Sequence, residues 1–194
     1  MKRFKFLLFV AVLVEFAALA YAGNDDGVAA YTRGDYARAY KEFKPLAEQG
    51  NATAQSCLGW MYDKGQGVPQ DFAEACKWYR KAAEQGDADG QYFLGVMFKD
   101  GRGVSKDDAE AVKWFRKAAE QDYPEAQHCL GLAYVGGFGV LQDFVQAHMW
   151  LNLAAARGNV KAHEMRDELL DLMTPAQIAE AQRLAREWKP KGRD

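Results

Sequence analysis

The side chains that could act as nucleophiles, general bases or metal ligands are few, and their spacing matches none of the patterns that such chemistry requires. Both serines, Ser56 and Ser105, lack the Ser-x-x-Lys and Gly-x-Ser-x-Gly contexts of serine nucleophiles. The His163-Glu164 pair lacks the second histidine of a zinc-binding helix, and no two cysteines stand at Cys-x-x-Cys spacing. The sequence therefore predicts no catalytic residue, no metal site and no cofactor.

These residues lie in a chain that repeats itself every 36 residues, so the repeat determines where each of them stands. The repeat predicts three units, 51–86, 87–122 and 123–158. Each unit has a Gly-x-Gly-Val segment at its centre. The positions that recur in all three units are Gln55, Gln91 and Gln127; Leu58, Leu94 and Leu130; Gly59, Gly95 and Gly131; Asp71, Asp107 and Asp143; and Trp78, Trp114 and Trp150.

Each unit is predicted to form a helix (A), a glycine-rich turn and a second helix (B). Apolar residues recur at helical spacing on both sides of the turn, and Asp71 with Glu74 has the spacing of a capping box. A glycine in mid-helix, as at Gly59, lowers helix stability by about 1 kcal/mol relative to alanine. We expect a steric compensation, because the missing Cβ lets helix B approach closely there. Terminal units must cover the exposed ends of such a stack. We assign these caps to 23–50 and 159–194, which gives ten helices and no strands.

The three cysteines are distributed over the repeats in a way that disfavours a disulfide framework. An odd number leaves at least one thiol unpaired, and Cys57 and Cys129 are equivalent positions two units apart. A bridge from Cys57 to Cys76 would join the two helices of one unit and stays an alternative. The favoured interpretation is three buried thiols.

The first 22 residues have the organisation of a secretory signal peptide. Lys2, Arg3 and Lys5 precede an apolar run of about 15 residues, and Ala20-Tyr21-Ala22 has the small-x-small pattern of a cleavage site. We predict cleavage after Ala22 and a periplasmic or secreted protein. An uncleaved anchor is the alternative, although a bilayer requires roughly 20 apolar residues.

Charge argues against two classes of partner. The whole chain has a net charge of −2, and removing the signal peptide takes away three basic residues and one acidic residue, which leaves −4. A mildly acidic protein is not expected to bind nucleic acid or a polyanionic membrane surface, and no stable membrane insertion is expected after cleavage.

The recurring pattern Ala-x-x-x-Leu-Gly, Gly-x-Gly-Val and Asp-x-x-x-Ala-x-x-Trp-[Tyr/Phe]-x-x-Ala-Ala resembles the Sel1-like repeat, a relative of the tetratricopeptide repeat. The resemblance covers 51–158 strongly and the flanking segments weakly. It implies an all-α, right-handed α-solenoid of antiparallel helical hairpins. It also implies a scaffold or adaptor that binds a protein or peptide partner on the concave face lined by helix A.

By analogy with tetratricopeptide repeats, the groove positions lie three before the mid-helix glycine, one after it, and four to five after it. The predicted groove residues are Ser56, Trp60, Asp63, Lys64, Tyr92, Val96, Lys99, Asp100, His128, Leu132 and Val135. The alternative is that these residues only pack between helices. The tryptophan row at Trp78, Trp114 and Trp150 is predicted to be structural, because it recurs in register with the core alanines.

Two other functions remain open at this point. Some cysteine-rich secreted Sel1 relatives carry a β-lactamase label, so an envelope enzyme or ligand binder acting on cell-wall or β-lactam compounds is the runner-up. Cys57, Cys76 and Cys129 do not form the regular cysteine pairs of those relatives. A third possibility is a cytoplasmic scaffold whose N-terminus only resembles a signal peptide.

Overall fold

The structure is a computed structural model that describes residues 25–191, and the predicted signal peptide at 1–22 lies outside them. Within these residues the chain forms ten α-helices and no strands, which confirms the predicted all-α solenoid. A 3₁₀ turn at Leu170–Leu172 separates the last two helices. The helices are α1 (Asp25–Thr32), α2 (Tyr36–Glu48), α3 (Ala52–Lys64), α4 (Phe72–Glu84), α5 (Ala88–Asp100), α6 (Asp108–Glu120), α7 (Pro124–Gly136), α8 (Phe144–Ala156), α9 (Val160–Leu169) and α10 (Pro175–Glu187).

Each B helix of the three repeats begins directly after the aspartate that the repeat predicts as its N-cap. The Asp71 carboxylate accepts hydrogen bonds from the backbone N–H groups of Ala73 and Glu74 at 2.9 and 3.0 Å, which pairs donors that the first turn leaves open. At Asp71 this is the forward half of the predicted capping box. Both halves form at α10, where Thr174 and Gln177 bond reciprocally.

Close packing of A on B explains the mid-helix glycines. A Cβ atom at Gly59 would lie 2.6 Å from the ring of Tyr79, and one at Gly95 would lie 2.7 Å from the ring of Phe115. These separations are far inside van der Waals contact, so alanine would push the two helices apart. The structure thus confirms the steric reason predicted for these glycines.

A ladder of buried glutamines joins successive repeats. Each helix-A glutamine donates through its side-chain amide to a backbone carbonyl of the preceding B helix, and each of the first two accepts from a glutamine at the end of the following B helix. The bonds are Gln55 to Ala47 (3.0 Å), Gln91 to Ala83 (3.2 Å), Gln127 to Ala119 (3.3 Å), Gln85 to Gln55 (2.7 Å) and Gln121 to Gln91 (2.8 Å).

The ladder stops in the third repeat because Arg157 stands where the earlier repeats have Gln85 and Gln121. Arg157 donates to the carboxylate of Asp122 at 3.1 Å instead, and the Gln127 Oε1 atom has no partner among residues 25–191. Asp122 itself occupies a left-handed backbone position (φ 71°) that glycine fills elsewhere. Its ion pair with Arg157 accompanies this departure from the repeat.

The C-terminal cap is built differently from a repeat. In the three repeats, helix A packs extensively on the B helix that follows it, whereas α9 and α10 each pack mainly on α8, and apolar side chains of all three helices form one cluster. Trp188 meets Trp150 edge to face at 6.1 Å, and the Lys191 ammonium lies 2.9 Å from the Glu120 carboxylate. The last helix and the residues after it therefore cover the B helices of repeats two and three.

Candidate partner-binding surface

The predicted groove residues lie on α3, α5 and α7, whose outward side we call the helix-A face. They differ in depth. Lys64, Lys99 and Asp100 are exposed, while Trp60, Tyr92, Val96, His128, Leu132 and Val135 are half-buried. Ser56 and Asp63 are only 1% and 3% exposed, so they contribute to packing between repeats rather than to the surface itself. The Ser56 hydroxyl donates to the Asp87 cap of α5 at 2.5 Å.

Asp63 is a buried carboxylate held by two cations. Its oxygens lie 2.8 Å from Nη1 of Arg102 and 2.7 Å from Nζ of Lys64. Arg102 comes from the glycine-rich turn of the next repeat and also reaches Asp100 at 3.4 Å. A buried charge needs such partners, since leaving one unpaired costs several kcal/mol. The pair thus fixes the turn of repeat two against helix A of repeat one.

Trp60 is the first member of an aromatic run along the helix-A face. Its indole N–H donates to the Tyr31 hydroxyl at 2.6 Å, and its ring centroid lies 5.1 Å from that of Phe93. The Lys64 ammonium sits over the indole ring, 4.5 Å from its centroid. The geometry holds a large aromatic surface in one orientation beside a cation.

Tyr92 continues the same run into the third repeat. Its ring lies 5.0 Å from Phe93 and stacks on Tyr123 at 5.2 Å with an interplanar angle of 29°. The Tyr123 hydroxyl donates to Asp89 at 2.9 Å. Burial raises the pKa of Tyr92 and of Tyr123 well above that of a free phenol, so both rings are neutral at physiological pH.

His128 lies further along the face and is neutral at physiological pH. Desolvation lowers its pKa most, and the positive charges of Lys161 and Lys99 lower it further. Lys99 and Asp100 form an exposed ion pair at 3.4 Å. The face therefore combines neutral aromatic rings with a small, mixed set of charges.

Three aromatic residues of this run were not among the predicted groove residues: Tyr31, Phe93 and Tyr123. Phe93 replaces the cysteines of repeats one and three, and Tyr123 stands at an N-cap position that is Asn or Asp elsewhere. Both are departures from the repeat, and such departures are the signal in the sequence that could have identified them. Tyr31 belongs to the N-terminal cap and has no repeat equivalent to compare.

The tryptophan row on the B helices is structural, as predicted. Trp114 and Trp150 are each only 5% exposed, and Trp78 is half-buried with the Lys81 ammonium over its ring at 4.1 Å. These rings therefore fill space between B helices.

The cysteines are free thiols, and the alternative bridge between Cys57 and Cys76 is not formed. Burial raises the pKa of Cys129 to about 11 and raises that of Cys57 further, so neither is a thiolate at physiological pH. Among residues 25–191, no three metal-ligating side chains come together. In the same part of the chain, no helix is both long and apolar enough to cross a bilayer.

The fold and this face define an α-solenoid of helical hairpins, a class of protein whose stacked repeats present an extended surface. The Sel1 repeat model matches residues 52–87, 88–123 and 124–159, which together make up more than half of the chain. The chain belongs to the Sel1 repeat family. Proteins of this family generally act as protein-interaction scaffolds.

Two solved structures show the relationship in three dimensions. A Sel1 repeat protein from Oxalobacter formigenes is 38% identical with a TM-score of 0.71, over 75% of this chain and 60% of that one. The c5321 protein, a protective antigen present in uropathogenic Escherichia coli strains, is 37% identical with a TM-score of 0.74, over 90% of this chain and 40% of that one. The chain thus spans less than two thirds of either structure. No curated protein matches.

Proposed function

We propose that the protein is an exported scaffold that binds a protein or peptide partner through the helix-A face. The observation that carries this proposal is the aromatic run formed by Trp60, Phe93, Tyr92 and Tyr123. Its successive ring centroids are 5.0–5.2 Å apart across three repeats. Aromatic residues held rigidly by their neighbours lose little entropy on binding and are enriched among the residues that dominate interfaces.

The charges beside the run suit a peptide segment rather than a polyanion. Lys64 and Lys99 are the exposed cations, and each pairs with a neighbouring aspartate, while Arg102 bridges the two aspartates Asp63 and Asp100. The face therefore offers paired charges at its edge and neutral rings at its centre. This is the usual arrangement of a protein interface, in which a polar rim surrounds an apolar centre. The face can therefore recognise a segment with apolar anchors and a few charges.

Export is proposed from the first 22 residues alone. Their basic start, apolar run and Ala20-Tyr21-Ala22 site support cleavage after Ala22 and a periplasmic or secreted location. N-terminal sequencing of protein recovered from a periplasmic extract tests this. A first residue at Gly23 supports the proposal, and Met1 contradicts it.

The binding proposal is tested by affinity capture from an envelope extract followed by mass spectrometry. The wild type is compared with a Trp60→Ala/Tyr92→Ala double variant and with Trp78→Ala, which removes a half-buried aromatic ring from a B helix instead. Circular dichroism establishes that all three proteins are folded.

We expect a partner that is captured by the wild type and by Trp78→Ala and lost with the double variant. Equal capture by a folded double variant would show that the helix-A face is not the binding surface. Nitrocefin turnover by the purified wild type, abolished by the same double variant, would instead support the β-lactam-acting alternative.

A further inference from the structure

An open cavity of about 430 Å³ lies where the C-terminal cap departs from the repeat. Its floor is α8, and its walls are α9 with the following turn and α10, the two helices that each pack mainly on α8. Six polar side chains and one leucine line it. They are His148, Asn152, Arg166, Asp167, Gln182, Arg186 and Leu170. It is separate from the aromatic run and lies within the size range of small-molecule sites.

The cavity occupies a position that is an apolar contact in the inner repeats. There, Leu94 packs in one apolar cluster with Cys76, and Leu130 in one with Val112. One repeat further along, the leucine is replaced by Arg166 and the Cys or Val by His148. The residue after the leucine changes from glycine to Asp167. Three changes thus place polar and charged side chains where the inner repeats have an apolar contact.

His148 points to a ligand. Only 2% of the residue is exposed, and its Nδ1 atom has no hydrogen-bond partner within residues 25–191. An unpaired polar atom at this depth destabilises the folded state, and the inner repeats avoid that cost with Cys76 and Val112. A group that enters the cavity and bonds to Nδ1 would remove it.

The charges of the lining select the class of ligand. Arg166 donates to Asp167 at 2.7–2.9 Å and to the Asn152 side-chain oxygen at 3.2 Å, and His163 approaches Asp167 from outside at 3.2 Å. Arg186 brings a second guanidinium from the last turn of α10. Two guanidiniums and one carboxylate leave one net positive charge, which matches a monoanion. A phosphate dianion would exceed that charge and face Asp167.

We propose that this cavity binds a carboxylate group, supplied either by a small carboxylic acid or by the C-terminus of a peptide. The guanidinium of Arg186 pairs with the carboxylate, since a guanidinium and a carboxylate can form two parallel hydrogen bonds. The Gln182 amide and the His148 imidazole provide further hydrogen bonds. Leu170 provides apolar contact for the part of the ligand that follows the carboxylate.

The test is a titration of the isotopically labelled protein monitored by NMR, with the imidazole signals of His148 as reporters. The probes are acetate, N-acetyl-dialanine with a free carboxylate, the C-terminal amide of the same peptide, and inorganic phosphate. We expect saturable shifts of the His148 signals with both carboxylates and none with the amide. Tighter binding of the peptide than of acetate identifies a peptide C-terminus, and equal binding identifies a small acid.

Two variants separate binding from folding. His148→Val/Arg166→Leu restores the residues of the inner repeats, so it should fold at least as stably and bind acetate about tenfold or more weakly, with arginine signals as reporters. Arg186→Gln should weaken binding similarly. Its matched control is Arg183→Gln on the same helix, because Arg183 pairs with Glu180 and Glu187 and does not line the cavity.

Three results would overturn the proposal. The first is the absence of a saturable shift at His148 with either carboxylate. The second is phosphate binding as tight as acetate or tighter, which would reject the carboxylate assignment. The third is an equal loss of acetate affinity in Arg183→Gln and Arg186→Gln, which would show that binding reflects general electrostatic attraction and not a specific contact with Arg186.

Discussion

Replacing Gly103 with alanine is expected to destabilise the solenoid more than the same change at Gly86. Both glycines have positive φ, 68° and 93°, so alanine is strained at either position. A Cβ at Gly86 has nothing within 4 Å, whereas a Cβ at Gly103 would overlap the backbone carbonyl of Phe72 in the preceding repeat. The comparison therefore separates backbone strain from steric overlap between repeats.

The expected magnitudes follow from these two contributions. Left-handed backbone costs a non-glycine residue about 1–2 kcal/mol, which is the whole effect expected for Gly86→Ala. Gly103→Ala adds an overlap with backbone that has no rotamer to escape into, and overpacking of this kind costs a further 1–3 kcal/mol or so. The total of about 2–5 kcal/mol is a large part of the 5–15 kcal/mol that holds a typical domain folded.

The assay is urea unfolding of wild type, Gly86→Ala and Gly103→Ala, monitored by far-UV circular dichroism and tryptophan fluorescence. We expect the unfolding midpoint to fall modestly for Gly86→Ala and much further for Gly103→Ala. Equal midpoints for the two variants would refute the reasoning. They would show that the turn of one repeat does not pack closely against the B helix of the preceding repeat.

Three further predictions concern individual side chains. Asp122→Gly/Arg157→Gln introduces the glycine that stands at this position in repeats one and three and the glutamine that stands in repeats one and two. It can complete the glutamine ladder, so we expect the melting temperature to rise, and a lower melting temperature would contradict this. Cys129 is half-buried and its pKa is raised to about 11, so in the native state it should react slowly with a thiol reagent at neutral pH. The unfolded chain should titrate three thiols. Fast labelling of the native protein, or fewer than three thiols in the unfolded chain, would contradict this. Burial lowers the pKa of His128 and of His148, so each favours folding above the unfolded histidine pKa, and that stability is lost as pH falls through about 6.5 towards the folded value. Denaturant midpoints measured between neutral and mildly acidic pH should fall accordingly, and His148→Val should flatten the dependence; a midpoint that rises on acidification would contradict it.

The fold was predictable because the same helix-start, turn and helix-contact residues occur in each of the three repeats. The helix-start aspartates, the left-handed glycines and the small residue at the A–B contact each constrain one feature. Asp71, Gly65 and Gly59 act in the structure as their positions predict. The N-terminal limits of the B helices follow directly, because each begins at the residue after its aspartate.

The candidate surface was less predictable because a position in the repeat indicates which side of the helix a side chain lies on but not how deeply it is buried. Ser56 and Asp63 occupy the repeat positions that the analogy selects, yet Asp87 and Arg102 from the next repeat cover them. The aromatic run depends on Phe93, whose repeat equivalents are cysteines. Contacts between non-equivalent residues of neighbouring repeats lie outside what a periodic pattern can express.

The C-terminal cavity raises the question of whether its polar residues only terminate the stack. Capping requires polar side chains on the outer face of the last helix, where the next repeat would otherwise bind. Asp167 on α9 meets that requirement, because it replaces the glycine that close packing of a following B helix needs. His148 does not meet it, because it lies on α8, one helix further in, and is buried. A valine there, as at position 112, would cap the solenoid equally well and would bring no unpaired polar atom to this position, so termination alone does not account for a histidine here.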